Sequence, residues 1–151
     1  MTRLRVSIVI DASPKEVWAD LERIESHVEW MRDAVALDFT SDSTRGVGTT
    51  FDCLTQVGPF RLTDKMEITE WSPGRAMGVR HVGLVEGEGV ISLRRVRLGR
   101  GRGGTRVKWA ERLHFPWWMG GPIGGFFAKP VLWLVWRGSM RNLQARFTSR
   151  P

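Results

Sequence analysis

The first apolar pattern in the chain is a two-residue alternation. Val6, Ile8 and Ile10 share one face of residues 2–11, which predicts a strand. Ser13-Pro14-Lys15-Glu16 follows, with a capping serine, a proline at the first helical position and a glutamate three residues after the cap. That is a capping box. It starts a helix because both side chains satisfy backbone N–H groups that the first turn leaves free. Val17, Leu21 and Ile24 then fall four and three residues apart, on one helical face. Ser26-His27-Val28-Glu29 repeats the capping pattern and predicts a second short helix directly behind the first.

Over residues 34–113 the period drops to two. Val35, Leu37 and Phe39 alternate with Ala36 and Asp38; Phe51, Cys53, Thr55 and Val57 alternate with Asp52, Leu54 and Gln56. Val57-Gly58-Pro59-Phe60 reads as a hairpin turn into a strand with Phe60, Leu62, Asp64, Met66 and Ile68 on one face. In Trp71-Ser72-Pro73-Gly74, proline and glycine stand at type II turn positions. Residues 76–83, 88–98 and 105–113 supply three more strands; the parity of 88–98 is ambiguous, so its inner face stays unassigned. Short turns between successive strands imply an antiparallel meander. After a Pro-, Trp- and Gly-rich loop, one long helix is expected over about residues 125–147, some 34 Å at about 1.5 Å per residue, started or kinked by Pro130. Its stripe of Trp133, Trp136, Met140, Leu143 and Phe147 must lie on something, with Arg137, Arg141, Arg146 and Arg150 mainly off it. The expected class is α+β: a seven-stranded antiparallel curved sheet around a long C-terminal helix, with two short helices after the first strand. A sheet curved in that way leaves a pocket against the helix or fills it with large side chains.

Composition narrows the picture. A chain of 151 residues fits one domain, taken as residues 1–151, and can build a core without metal or disulfide. Cys53 is the only cysteine and His27, His81 and His114 are scattered, so neither a disulfide nor a metal site is expected. The absence of a secretory signal and of an apolar run near the roughly 20 residues of a bilayer span points to a cytoplasmic protein. The net charge of +7 hides an asymmetry: residues 1–93 carry 10 Lys and Arg against 15 Asp and Glu, residues 94–151 carry 13 against Glu111 alone. Such a basic third is a solvated surface or an attractor of phosphate, on nucleic acid or an anionic membrane. Nucleic acid is disfavoured, because residues 94–106 interleave arginine with Gly, Val and Leu instead of aromatics. Gly99, Gly101 and Gly104 have G-x-G-x-x-G spacing, but a strand follows where a dinucleotide site needs a helix, so the segment reads as a hairpin tip and no cofactor is expected. Gly120-Gly121-Pro122-Ile123-Gly124-Gly125 lacks the Gly-Lys-Ser/Thr of a phosphate loop and reads as a bend into the last helix.

The segments VSIVIDASPKEVWADLERIESHVEWM, GVGTTFDC, EWSPGRAMGVRHVG and GGTRVKWAERLHFPWW, with the amphipathic C-terminal helix, resemble the START-related, polyketide cyclase/dehydrase and lipid-transport superfamily (SRPBCC) over essentially the whole chain. The resemblance is to small stand-alone bacterial members. It implies the helix-grip fold, in which Ala12, Ser13, Pro14, Val17 and Trp18 are structural. It also implies a hydrophobic small-molecule ligand, lipid or polyketide-like, or alternatively a cyclase or dehydratase; no catalytic motif carries over residue by residue.

Read by parity, the inner sheet face holds Phe51, Cys53, Leu62, Met66 and Trp109, which with Phe126, Trp133, Trp136 and Met140 of the helix are the expected pocket walls. The same face holds Asp64, His81 and Glu111. A buried carboxylate needs a partner or stays protonated. These three are therefore candidates to orient a ligand headgroup, to act as acid and base, or to pair internally, for instance His81 with a carboxylate. Cys53 reads as a small core residue, and His27 and His114 carry no chemistry of their own. Phe127, Val131, Leu134 and Val135 fall opposite the helix stripe, and with Trp117, Trp118 and Phe126 they exceed what one sheet can cover. Neighbouring loops, a second copy in a homodimer or a membrane edge beside the pocket mouth would each account for the excess; monomer and homodimer both stay open.

Overall fold

The opening alternation becomes β1 (Thr2–Ile10), an edge strand, in the computed structural model, which describes residues 1–148. The capping box forms as expected: the Ser13 hydroxyl accepts from the Glu16 N–H at 3.2 Å, and the Glu16 carboxylate accepts from the Ser13 N–H at 2.8 Å. A cap of this kind contributes about 1 kcal/mol and starts α1 (Pro14–Leu21). The second predicted capping box does not form. Ile24–Glu29 is a 3₁₀ turn, and the Ser26 hydroxyl donates to the Arg23 carbonyl instead of capping. Ile24, His27 and Trp30, three residues apart and all buried, explain the choice, because a 3₁₀ helix stacks every third residue on one face.

The chain then crosses to the opposite edge of the sheet and returns strand by strand: β2 (Ala34–Phe39), β3 (Thr50–Val57), β4 (Phe60–Ser72), β5 (Ala76–Val82), β6 (Glu86–Arg97) and β7 (Gly103–His114). All pairs are antiparallel and the spatial order is β1-β7-β6-β5-β4-β3-β2. Register shifts between Ala34 and Ala36 and between Ile68 and Glu70 bend the sheet. β6 turns Gly87, Gly89, Ile91 and Leu93 inward, and the two inward glycines are why alternation could not assign its faces.

The last helix, α2 (Gly121–Thr148), starts four residues before the expected position and continues through Pro130. Gly120 and Gly121, at φ of 92° and 50°, make the bend that launches it, a conformation a side chain would strain. Its second half is anchored. Trp136, Met140, Leu143 and Phe147 are buried with Leu4, Val6, Val17 and Val107. The Ser139 hydroxyl accepts from the Arg32 N–H at 2.9 Å, Asn142 donates to the Trp30 carbonyl, and Gln144 donates to the Val9 carbonyl. The Arg146 guanidinium forks onto Asp20 at 2.7 and 2.8 Å and reaches Glu29 at 3.0 Å. Arg150, expected on the polar face, lies outside the described residues. α2 packs chiefly on β1, so its first half stands away from β3, β4 and β5.

Candidate functional site

The offset of α2 leaves a cavity of about 690 Å³ between the concave face of the sheet and the first half of the helix. β3 contributes Phe51 and Cys53, β4 contributes Leu62, Asp64 and Met66, β5 Val79 and His81, β6 Gly89 and Ile91, and β7 Trp109 and Glu111. These are the inward positions of five successive strands, which is why period-two parity found most of them. Phe60, Trp118, Phe127 and Val131 are the lining residues exposed to solvent, and they mark the mouth.

Of the expected wall residues, Phe51, Cys53, Leu62, Met66, Trp109 and Trp136 line the cavity, together with Asp64, His81 and Glu111. Phe126, Trp133 and Met140 do not. Phe126 is 73% exposed and Trp133 36% exposed, while Met140 is 1% exposed, packed into the core. The reason is helical geometry. The cavity meets α2 on Gly124, Ala128, Leu132 and Trp136, whereas Trp133 and Phe126 lie on the other flank of Trp136. The stripe locates the centre of the buried face but not which flank meets empty space. Loops, one of the three covers expected for the remaining apolar side chains, do not provide it: Trp117, Trp118, Phe127, Val131 and Leu134 are exposed.

The polar group inside the cavity is a single connected arrangement. His81 Nδ1 stands 2.8 Å from Asp64 Oδ2, and His81 Nε2 stands 3.3 Å from Glu111 Oε2, close enough to pair as ions but outside hydrogen-bond alignment. Burial by itself would lower the His81 pKa; the hydrogen bond to Asp64 and the Glu111 carboxylate outweigh it and push it up to about 10. The ring is therefore an imidazolium at neutral pH, with both nitrogens turned to carboxylates. Glu111 Oε1 accepts from the Trp109 indole N–H at 2.8 Å. Trp109 stacks on Trp136 with ring centroids 4.8 Å apart, and the Trp136 N–H donates to Asp33 Oδ2 at 3.3 Å. Gly89 pairs with Glu111 across the sheet, and a Cβ at that position would sit 2.9 Å from the glutamate side chain; the glycine makes room for the carboxylate.

Two titratable lining residues are not marked as site residues by the sequence. Asp33 lies just before β2, outside any periodic run; burial raises its pKa, with Glu111 and Asp64 adding to the rise. His27, expected to carry no chemistry, also reaches the cavity wall. It is buried, its Nε2–H donates to the Leu21 carbonyl at 2.7 Å, and desolvation lowers its pKa, so it is neutral. Its place at every third residue with Ile24 and Trp30 is the signal that could have found it. Cys53 has its thiol pushed up to about 11 by desolvation, which makes it an apolar wall residue and a poor nucleophile. His114 lies at the end of β7 and does not line the cavity. Among the described residues no group of His, Cys, Asp and Glu is arranged to hold a metal ion, and no helix is long and apolar enough to cross a membrane.

A strongly curved antiparallel sheet, a long helix across it and an apolar cavity between them define the helix-grip class. The family model for polyketide cyclase / dehydrase and lipid transport matches residues 1–150, and the chain belongs to that family. Solved structures similar to it include the protein TTHA0849 from Thermus thermophilus, with 16% identity, 97% of each chain covered and a TM-score of 0.76. XoxI from Bacillus cereus gives 16% identity, a TM-score of 0.74 and coverage of 99% of this chain and 97% of that one. A START superfamily protein from Mycobacterium smegmatis gives 10% identity, 98% of each chain covered and a TM-score of 0.72. At these identities the likeness is one of fold. A search of curated proteins finds none that matches.

Proposed function

We propose that this protein binds a hydrophobic small molecule, lipid or polyketide-like, in the cavity between the sheet and the first half of α2. The observation that carries the proposal is the cavity itself, about 690 Å³ walled mainly by apolar side chains, in the size range of small-molecule sites. A chain with eight tryptophans and seven phenylalanines could have filled this space with its own rings. Instead Trp109 and Trp136 stack flat against each other at one side and leave it open. The test is a fluorescence titration with a neutral apolar probe such as N-phenyl-1-naphthylamine. Saturable uptake at one site per chain is expected, and Val79→Trp, which places an indole inside the cavity, should abolish it with the circular dichroism spectrum retained. Equal uptake by the variant would contradict the assignment.

The exposed Trp117, Trp118 and Phe126 beside the mouth, with Lys129 one turn on, support a further element of the proposal: transient contact with an anionic membrane from which an apolar ligand enters. Cosedimentation with vesicles of anionic and of neutral lipid tests it. The cyclase or dehydratase reading has one supporting observation, the carboxylates Asp64 and Glu111 inside the cavity. Against it, His81 has no free lone pair, since both ring nitrogens face carboxylates, and it cannot act as a base in this state.

A further inference from the structure

The cavity's polar end has an uneven supply of hydrogen-bonding groups. Asp64 is 8% exposed and Glu111 5% exposed. In each, one oxygen is occupied, Asp64 Oδ2 by His81 and Glu111 Oε1 by Trp109. The other oxygens, Asp64 Oδ1 and Glu111 Oε2, are buried and accept no aligned hydrogen bond from the described residues. His81 Nε2 also lacks an aligned partner, and it lies 3.3 Å from Glu111 Oε2. A buried acceptor without a donor costs about 1–3 kcal/mol, and more when charged. The cavity therefore ends in two unmet acceptors and one poorly used donor, and two carboxylates share a single imidazolium. Asp33 adds a third acid to the same wall and no positive charge. Cations that could receive an anion are missing from the described lining residues apart from that imidazolium.

We infer that this end of the cavity selects an apolar ligand bearing a hydroxyl group, alcohol or phenol, and rejects one ending in a carboxylate, sulfonate or phosphate. Asp64 Oδ1, Glu111 Oε2 and His81 Nε2 are all covered in this arrangement; a rotation of either carboxylate towards the cavity uncovers its free oxygen, to which a hydroxyl donates while still offering lone pairs to His81 Nε2–H. An anion donates nothing and meets two carboxylates in a medium of low dielectric. The inference rests on the binding proposal above and specifies its ligand: a free fatty acid is the wrong headgroup for this site, although its tail would suit the walls.

Three ligands of one shape test it: naphthalene, 2-naphthol and 2-naphthoate, each displacing N-phenyl-1-naphthylamine from the full chain at neutral pH. The expected order is naphthol tightest, about tenfold over naphthalene, with naphthoate weaker than naphthol by at least about tenfold. Asp64→Asn and Glu111→Gln, which keep shape and remove charge, should each reduce the discrimination against naphthoate. Naphthoate binding the wild type as tightly as naphthol overturns the inference, and needs no variant to fold. So does a preference for naphthol over naphthoate that is undiminished in both variants. Probe uptake without the expected order overturns the headgroup assignment alone; no uptake of probe or ligand overturns the binding proposal and this inference with it.

Discussion

At the closed end of the sheet, Arg146 faces two carboxylates, Asp20 and Glu29; inside the cavity, His81 faces two others, Asp64 and Glu111. The compositions match, one cation and two acids, yet the outcomes differ. The guanidinium has five N–H donors in a planar fork, and it covers both oxygens of Asp20 and reaches Glu29 with the remaining edge. The imidazolium has two donors pointing in opposite directions, so it satisfies one carboxylate, approaches the second obliquely and leaves an oxygen of each without an aligned donor. One cluster is complete and fastens α2 to α1. The other is incomplete and faces a cavity. The same contrast runs along α2, whose second half is locked to the fold by apolar contacts and three tethers while its first half stands open over the sheet.

Breaking the complete cluster should have the largest effect. Arg146→Ala leaves the nearly inaccessible Asp20 carboxylate without its fork and should cost about 3 kcal/mol, the lower end for a broken buried pair because the guanidinium keeps some contact with water. Urea unfolding measures this, and probe affinity in the folded variant should be unchanged. A loss below about 1 kcal/mol would mean the two clusters are not distinguished in this way.

His81→Gln should cost less, about 1–3 kcal/mol, because the glutamine amide can still donate to one of the two carboxylates. Its pH dependence is the sharper reading. The folded-state pKa of about 10 stands above the ordinary 6.5, so a protonated His81 stabilises the fold fully below pH 6.5, and that contribution is lost as pH rises towards 10. Wild-type melting temperature should therefore fall across that window, and fall less in His81→Gln. The Arg146 cluster adds no slope there, as its cation stays charged. Parallel melting curves for the two proteins would contradict the pairing described for His81.

The smallest effect belongs to the open rim. Trp117 is 87% exposed, and Trp117→Ser should change stability by less than about 0.5 kcal/mol. If it instead destabilises strongly, the rim is part of the core and the mouth is closed in solution.

These contrasts explain what could be read in the chain beforehand. Strand parity placed Asp64, His81 and Glu111 on one inner face, because a side-chain period of two survives any sheet curvature. It could not say that they touch, since they sit on three strands, nor that His81 would take both carboxylates. Parity failed on β6, where Gly87 and Gly89 carry no side chain to alternate. The helical stripe identified Trp136, Leu143 and Phe147 as buried, but which flank meets the cavity depends on how far α2 leans towards β1. That is a tertiary quantity, and it left Trp133 and Phe126 in solvent. Asp33 had no pattern around it at all. The capping box at Ser13 formed because its partners are local, while the similar tetrapeptide at Ser26 yielded to the burial of Ile24, His27 and Trp30.

The central claim is that the cavity holds an apolar molecule whose hydroxyl meets the unfilled acceptors of Asp64 and Glu111. Native mass spectrometry of the purified protein, followed by denaturation and organic extraction, addresses it most directly. The account predicts a native mass exceeding the denatured mass by one small molecule, and an extract that is apolar, hydroxylated and free of acid groups. A stoichiometric fatty acid in the extract would contradict the headgroup assignment. An empty protein that also takes up no apolar molecule on incubation would contradict the binding function itself.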